Sequence, residues 1–577
     1  MNDLVIRGAE IVDGTGTAPF AGDVAVRNGR ITAVGRNLGS SSRTINAEGL
    51  LLTPGWIDIH THYDAQVTWD PQLAPSVWHG VTTALLGNCG VGFAPAAPEA
   101  REWLIGLMAG VEDIPVTSLV KGIPWGWESF PEYLDVLEKM PRTLDVGVLL
   151  SHGALRSYVM GERASTCHDA NSKDLDRMGF LTREAVRAGA FGFSTSRTLG
   201  HIGIDGEPVP GTYASEEELT CIAHAINRAG GGLIQMILAG ADGEDPASFS
   251  RDLDMMCRLA TDTRCPITYL TGEVNMAPYR WRNELRRCEE VERRAGRIAP
   301  QVPGRPVCML FSIQGDSPFH LLPSFAAVKE LPLADKVAIM RKPDFRRSLL
   351  SEEDPNTTGL SIAYKDSMLW ERTYRMGLPL SYTPGPENSV ANIAKKQGCD
   401  PREVAYDLLL ENDGRSFLMF ACANYYHETL DSTHEMLCHP LTVLGAGDAG
   451  AHCRIICDAS MPTYMLTQWA RDWGHGHRLH LPLEFVIKRL ASDGAKLFGL
   501  SDRGTIKPGL KADLNLIDFD NLSLGHPEIV HDLPGGMPRL MQKATGYVST
   551  FVNGQAIQET GQDTGARPGK LIRSGPN

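Results

Sequence analysis

No run of 18 apolar residues occurs anywhere in this sequence, so no stretch is long enough to cross a bilayer as a helix. The amino terminus, Met1-Asn-Asp-Leu-Val-Ile-Arg, lacks the apolar core of a secretory leader. There is no block of basic residues either, and the formal net charge is −14, which sets aside nucleic acid and anionic membrane as partners. Twelve cysteines are scattered without a repeating framework or a C-x-x-C pair, a usage that fits reduced thiols rather than a disulfide scaffold. These absences lead us to expect a soluble, cytoplasmic protein whose partner is a small molecule.

What is present is enough apolar sequence, 42% of 577 residues, for a large interior and more than one structural unit. Residues 1–52 read as short strands joined by tight turns, with Asn28-Gly29 carrying a hairpin signal between two apolar runs. Residues 504–577 read the same way, with a second such turn at Asn553-Gly554. Both ends are too short for large cores of their own, so we expect them to pair into one composite β-sandwich around an inserted central domain, 53–503.

The centre alternates strand-like and helical segments. Candidate strands are Thr82–Leu86, Asp145–Ser151, Ala190–Thr195, Gly232–Ile237, Pro266–Leu270 and Leu441–Gly445; candidate helices are Thr182–Ala188, Ser215–Arg228, Pro401–Glu411 and Leu483–Phe498. About eight strand positions make this an α/β protein with a (β/α)8 TIM-like barrel, although spacing alone also accommodates an open doubly wound sheet. Residues 310–400 carry few clear signals and read as an excursion over the barrel mouth.

The organising stretch is Thr53-Pro-Gly-Trp-Ile-Asp-Ile-His60-Thr-His62-Tyr-Asp. Trp56–Ile59 reads as a buried parallel strand, and two histidines two residues apart at its carboxyl end lie on one side of an extended chain, able to converge on one divalent cation. This stretch, the late Gly445-Ala-Gly-Asp448-Ala-Gly-Ala-His452 and the closing Ile506-Lys-Pro-Gly-Leu-Lys-Ala-Asp513 together resemble the amidohydrolase superfamily. Within it, Gly87-Asn-Cys89-Gly90 resembles the N-acyl-D-amino-acid deacylase (D-aminoacylase) branch. The resemblance implies that His60, His62, Asp448 and Cys89 ligate zinc, and that Asp448 also exchanges a proton with the attacking water. It also inclines us to a homo-oligomer.

One departure from the branch is visible. Two further histidines are implied after the fifth and sixth strands, but here those segments read Gly231-Gly-Leu-Ile-Gln235-Met236-Ile-Leu and Cys265-Pro-Ile-Thr-Tyr269-Leu. His224 falls inside a helical stretch and is no substitute. We therefore expect one Zn2+ rather than two. Other polar residues that would line the mouth and bind substrate are His152, Arg156, Arg197, Tyr63, His452 and Arg454, with Asp64 supporting the histidine pair. His475, His477 and His480 read as a solvated loop, and His427, His434 and His439 carry no assigned chemistry.

The expected activity is hydrolysis of an amide bond of an N-acyl amino acid, with the D configuration among the candidates, or of a related small carboxylate. Two alternatives stand beside it: a lactone or cyclic-amide hydrolase or metal-dependent lyase or decarboxylase of the same superfamily, and a non-catalytic binding protein.

Overall fold

A computed structural model describes residues 1–165, 169–352, 369–377 and 380–575. Both chain ends enter one nine-stranded sheet. Its amino-terminal strands are Asn2–Ile11, Phe20–Arg27, Arg30–Gly35, Ser41–Asn46 and Leu51–Pro54; its carboxy-terminal strands are Leu514–Ile517, Tyr547–Val552, Gln555–Glu559 and Gln562–Asp563. Leu514–Ile517 lies between Leu51–Pro54 and Tyr547–Val552, antiparallel to each, and so stitches the two ends together. Both Asn-Gly turns form with positive φ at both residues, 51° and 72° at Asn28-Gly29 and 52° and 71° at Asn553-Gly554, the two-residue geometry that follows strand twist. The turns meet: Ala512 N donates to Gly29 O, and Gly554 N donates to Ala512 O.

Leu51–Pro54 passes directly into Trp56–Asp58 through Gly55. A Cβ on Gly55 would sit 2.2 Å from Thr82 Cγ2, so only glycine lets the chain cross here from the composite sheet to the centre. Trp56–Asp58, Val81–Leu86 and Asp145–Val148 form a three-stranded parallel sheet. A second parallel sheet contains, in spatial order, Leu150–Ser151, Gly192–Ser196, Leu233–Ile237, Ile267–Leu270, Ile298–Val302 and Val443–Leu444. Residues Val81–Leu86 and Leu233–Ile237 are buried throughout, as strands covered on both faces must be. Each sequence-predicted strand has a counterpart; Ile298–Val302 is an addition.

Helices separate the strands. Glu216–Ala229 illustrates why: Ser215 accepts from Glu218 N at the start, three glutamates occupy the positive first turn, and Gly230 ends it. His224 lies on its exposed face. The expected single helix Leu483–Phe498 is two, Leu483–Leu490 and Ser492–Leu497, because Ala491 leaves helical geometry (φ −124°, ψ −73°). Among the described residues, no helix is long and apolar enough to cross a membrane, and the cysteines are unpaired.

Part of the region expected as an excursion lies outside the described residues. The rest contains an antiparallel sheet of Val307–Phe311, Leu418–Ala423 and Thr373–Arg375, with helices such as Leu333–Met340 and Pro401–Leu409. Phe311, Phe319, Phe325, Tyr406 and Phe420 build a hydrophobic core of its own. Leu310 N donates to Ile455 O (2.7 Å), which ties this lobe to the loop that follows Asp448.

Candidate metal centre

The chain beyond Trp56–Asp58 stays extended and is paired with a loop nearly 400 residues away. Asp448 N donates to His60 O (3.0 Å), His62 N donates to Ala449 O (2.8 Å), and Thr61 pairs in parallel with Ala449. Backbone pairing therefore sets Asp448 beside both histidines. The loop tolerates this at a conformational cost: Ala446, Asp448 and His452 all have positive φ (60°, 42° and 44°), as does Cys89 (55°). At Gly450, φ is 95° and an added Cβ would stand 2.7 Å from His62 O.

The side chains converge. His60 Nε2 lies 3.2 Å from Asp448 Oδ1, His62 Nε2 lies 3.6 Å from the same oxygen, and Cys89 Sγ lies 3.3 Å from His60 Nε2. One ligand atom each of His60, His62 and Cys89 falls within a mutual 4.8 Å, and all three residues are buried. Two imidazoles, a sulfur and a carboxylate are a donor set that suits zinc.

The ring orientation of His60 follows from a relay. Thr268 Oγ1 donates to Ala299 O (2.7 Å), so its lone pair accepts from Gln301 Nε2 (3.1 Å), which fixes the amide with Oε1 toward His60 Nδ1 (2.9 Å). His60 thus carries its proton on Nδ1 and turns the Nε2 lone pair to the site. Gln235 Oε1 accepts from Cys89 N (2.7 Å). Gln235 and Thr268 pair across adjacent strands, in the two segments where the resemblance implies histidines, while Tyr269 turns away to Glu284.

Electrostatics separate the groups. Burial would raise Asp448, but the adjoining His60 and His62 outweigh it and bring the carboxyl down to about 2. Burial lowers His62 to about 4. Burial, then the charges of Glu112, Asp448 and Asp64, push the Cys89 thiol well above its usual value. Burial likewise raises Asp58, which accepts from His60 N, and Asp64, which accepts from Gly87 N, each to about 7.

Not every residue proposed to bind substrate is placed to do so. His152 is fully buried, with Nε2 2.7 Å from Glu218 Oε1 and Nδ1 2.8 Å from Thr195 Oγ1, and Arg156 Nε donates to the same glutamate. Arg197 donates to Asp252 (2.8 Å) and to Ala214 O. Tyr63 hydroxyl bonds Leu73 O and Ser76 Oγ. His152, Arg197 and Tyr63 follow strand ends and Arg156 lies inside the helix His152–Met160, but neighbouring elements engage the polar atoms of all four. His452 and Arg454 remain at the mouth, partly exposed; Arg454 lies 3.1 Å from Asp316. A cavity beside Asp448 is walled by Gln66, Cys453, Asp458, Ser460, Arg539 and Gln542. Of the other histidines, His475 and His477 are exposed, and His439 pairs with Glu289.

Three residues escaped sequence reasoning. Gln301 belongs to the unrecognised strand Ile298–Val302. Glu112 closes the helix Arg101–Glu112, with Oε1 3.2 Å from His62 Nδ1 and Oε2 4.0 Å from His452 Nε2. His201, in the loop after Gly192–Ser196, is lowered to about 3 by burial and by the nearby His452 and His62. The sole signal for Glu112 was an acidic pair, Glu112-Asp113, ending an apolar helix.

The amidohydrolase family model matches residues 43–558. This chain belongs to the amidohydrolase family. It is 27% identical to the N-acyl-D-aspartate deacylase of Alcaligenes xylosoxydans xylosoxydans, over 99% of this chain and 95% of that protein. It shares its fold with a D-aminoacylase studied for its binuclear metal centre, described as showing one-metal activation and second-metal attenuation (TM-score 0.66, 21% identity, all of both chains). It also shares it with the N-acyl-D-glutamate deacylase of Bordetella bronchiseptica, solved with zinc and a phosphonate inhibitor (TM-score 0.64, 22% identity, 99% of this chain and 100% of that one). The resemblance to the deacylase branch drawn from Cys89 and its neighbours thus holds.

Proposed function

We propose that this member of the amidohydrolase family is a metal-dependent hydrolase that cleaves the amide bond of an N-acyl amino acid or a related small carboxylate, with one zinc ion. The observation that carries this reading is the convergence of His60, His62 and Cys89 within 4.8 Å, with Asp448 against both histidines. The full-length likeness to deacylases of acyl-D-amino acids favours D substrates.

When bound, the ion would acidify a water and polarise the scissile carbonyl. The chain supplies the rest. Asp448 accepts the proton of the attacking water and returns it to the leaving nitrogen. Gln301 holds His60 in register, and Gln235 holds the Cys89 backbone. His452 and Arg454 are our candidates to meet the substrate at the mouth. The lack of histidine in 231–238 and 265–270, the segments that carry Gln235 and Thr268, supports a single ion.

We read the two parallel sheets as one (β/α)8 barrel, supported by the Thr61–Ala449 pairing and by Asp145–Val148 running almost directly into Leu150–Ser151. The composite terminal sheet would be one layer of the sandwich. The test of function is to load purified protein with zinc and assay amine release from N-acyl-D- and N-acyl-L-amino acids beside lactones and cyclic amides. Turnover of acyl amino acids, abolished by chelation, supports the reading; turnover of lactones or cyclic amides alone replaces it with the alternative chemistry.

A further inference from the structure

The two histidines of the centre are held differently. His60 offers its Nδ1 proton to a neutral amide, Gln301. His62 Nδ1 faces an acid: Glu112 Oε1 stands 3.2 Å away, close but not aligned as a hydrogen bond, and neither atom has a hydrogen-bond partner among the described residues. Both glutamate and histidine side chains are almost fully buried, at 3% and 2% exposure.

Nothing in the local structure calls for an acid at this position. Glu112 is the last residue of its helix, where the macrodipole disfavours negative charge, and Asp113 follows it in a left-handed turn. Asp448 and Asp64 lie close enough to repel it. A buried carboxylate set at the wrong helix end and among other carboxylates is destabilising by itself, and it becomes favourable when a cation arrives nearby. The placement matches that purpose, because His62 Nε2 points to Asp448 while Nδ1 points to Glu112. A histidine whose Nδ1–H is held by a carboxylate is fixed in the tautomer that coordinates through Nε2, and it is the stronger donor for it. Glu112 is also anchored: its carbonyl accepts from His452 N, which joins the helix end to the loop carrying Asp448.

We propose that Glu112 is a positioning residue of the metal centre, accepting the Nδ1–H of His62 so that Nε2 is presented to the ion and countering part of the ion's charge. This rests on the metal reading above. The test is zinc affinity of the full-length protein by chelator competition, in wild type and Glu112→Gln, together with the visible spectrum of the cobalt-substituted forms. The glutamine keeps the shape and removes the charge. The expected result is a roughly 10- to 100-fold weaker zinc affinity and a changed cobalt spectrum, with the thermal unfolding of the metal-free protein little altered. Zinc affinity within twofold of wild type, with an unchanged spectrum, would overturn the proposal. Should Glu112→Gln not fold, Glu112→Asp, which keeps the charge and shortens the reach, is read by the same criteria. Wild-type protein that binds no zinc would sink the metal reading itself; wild type that binds it, beside an equally tight Glu112→Gln, sinks only this inference.

Discussion

Gln301 Oε1 lies 2.9 Å from His60 Nδ1, and the direction of that hydrogen bond is set one link further along the relay, by the hydroxyl of Thr268. The nitrogen that His60 turns to the candidate centre is therefore chosen from neighbouring strands, by Gln301 and Thr268. Gln301→Leu removes the acceptor and leaves the Nδ1 proton buried without a partner. Zinc affinity is expected to fall about 10- to 100-fold, measured by chelator competition, while Gln301→Glu retains it.

This relationship marks the limit of what the sequence reveals. His60 and His62 were legible because alternation along a strand is a local rule, and the two Asn-Gly turns because their φ requirement belongs to the residues themselves. Gln301 and Glu112 were not, because a glutamine or glutamate says nothing of the side chain it will meet 241 residues away, as Gln301 meets His60, or from one end of a helix to a distant strand, as Glu112 meets His62. The same reason turned His152, Arg156 and Arg197 inward: their place after a strand is local, but Glu218 and Asp252, which engage them, come from helices elsewhere. The helix break at Ala491 did have a local signal, the poor helix formers Ser492-Asp493-Gly494, but the apolar periodicity that continues across it masks it.

The Cys89 thiol gives a pH dependence of known sign. Burial and the surrounding carboxylates hold its proton well above the ordinary thiol range, whereas zinc binds the thiolate. Binding must then release that proton, so zinc affinity rises with pH across the neutral range. His62, lowered to about 4, has no proton to lose there. Titrating zinc affinity against pH is expected to show a steeper rise in wild type than in Cys89→Ser, and parallel curves would refute the thiolate role.

Far from the centre, Asp145 ties strand to terminal sheet. Arg503 donates to it at 2.7 Å, Lys511 is in contact with the same oxygen, and Lys570 N reaches its other oxygen at 2.8 Å. Burial would raise the carboxyl, but Lys511 and Arg503 prevail and lower it. A depressed acid contributes stability above its unfolded-state value near ~4, and loses it as pH falls through the folded-state value. Asp145→Asn is expected to cost about 3–5 kcal/mol near neutrality, by leaving two buried cations short of a partner. Denaturant titrations should show the deficit shrinking steadily below about pH 4.

Asp448 has two assigned tasks, and one substitution separates them from bulk. Asp448→Asn keeps the side-chain volume but removes the proton acceptor. The expected fall in kcat is about 10²- to 10⁴-fold on any accepted substrate. Equal turnover in mutant and wild type would remove Asp448 from the chemistry.

The most direct test is the zinc content per chain of protein purified under metal-replete conditions, compared with a His60→Ala/His62→Ala variant. About one zinc per chain, lost in the variant, is the predicted result. No zinc in the wild type, or the same content in both proteins, would contradict a metal-dependent hydrolase centred on these two histidines.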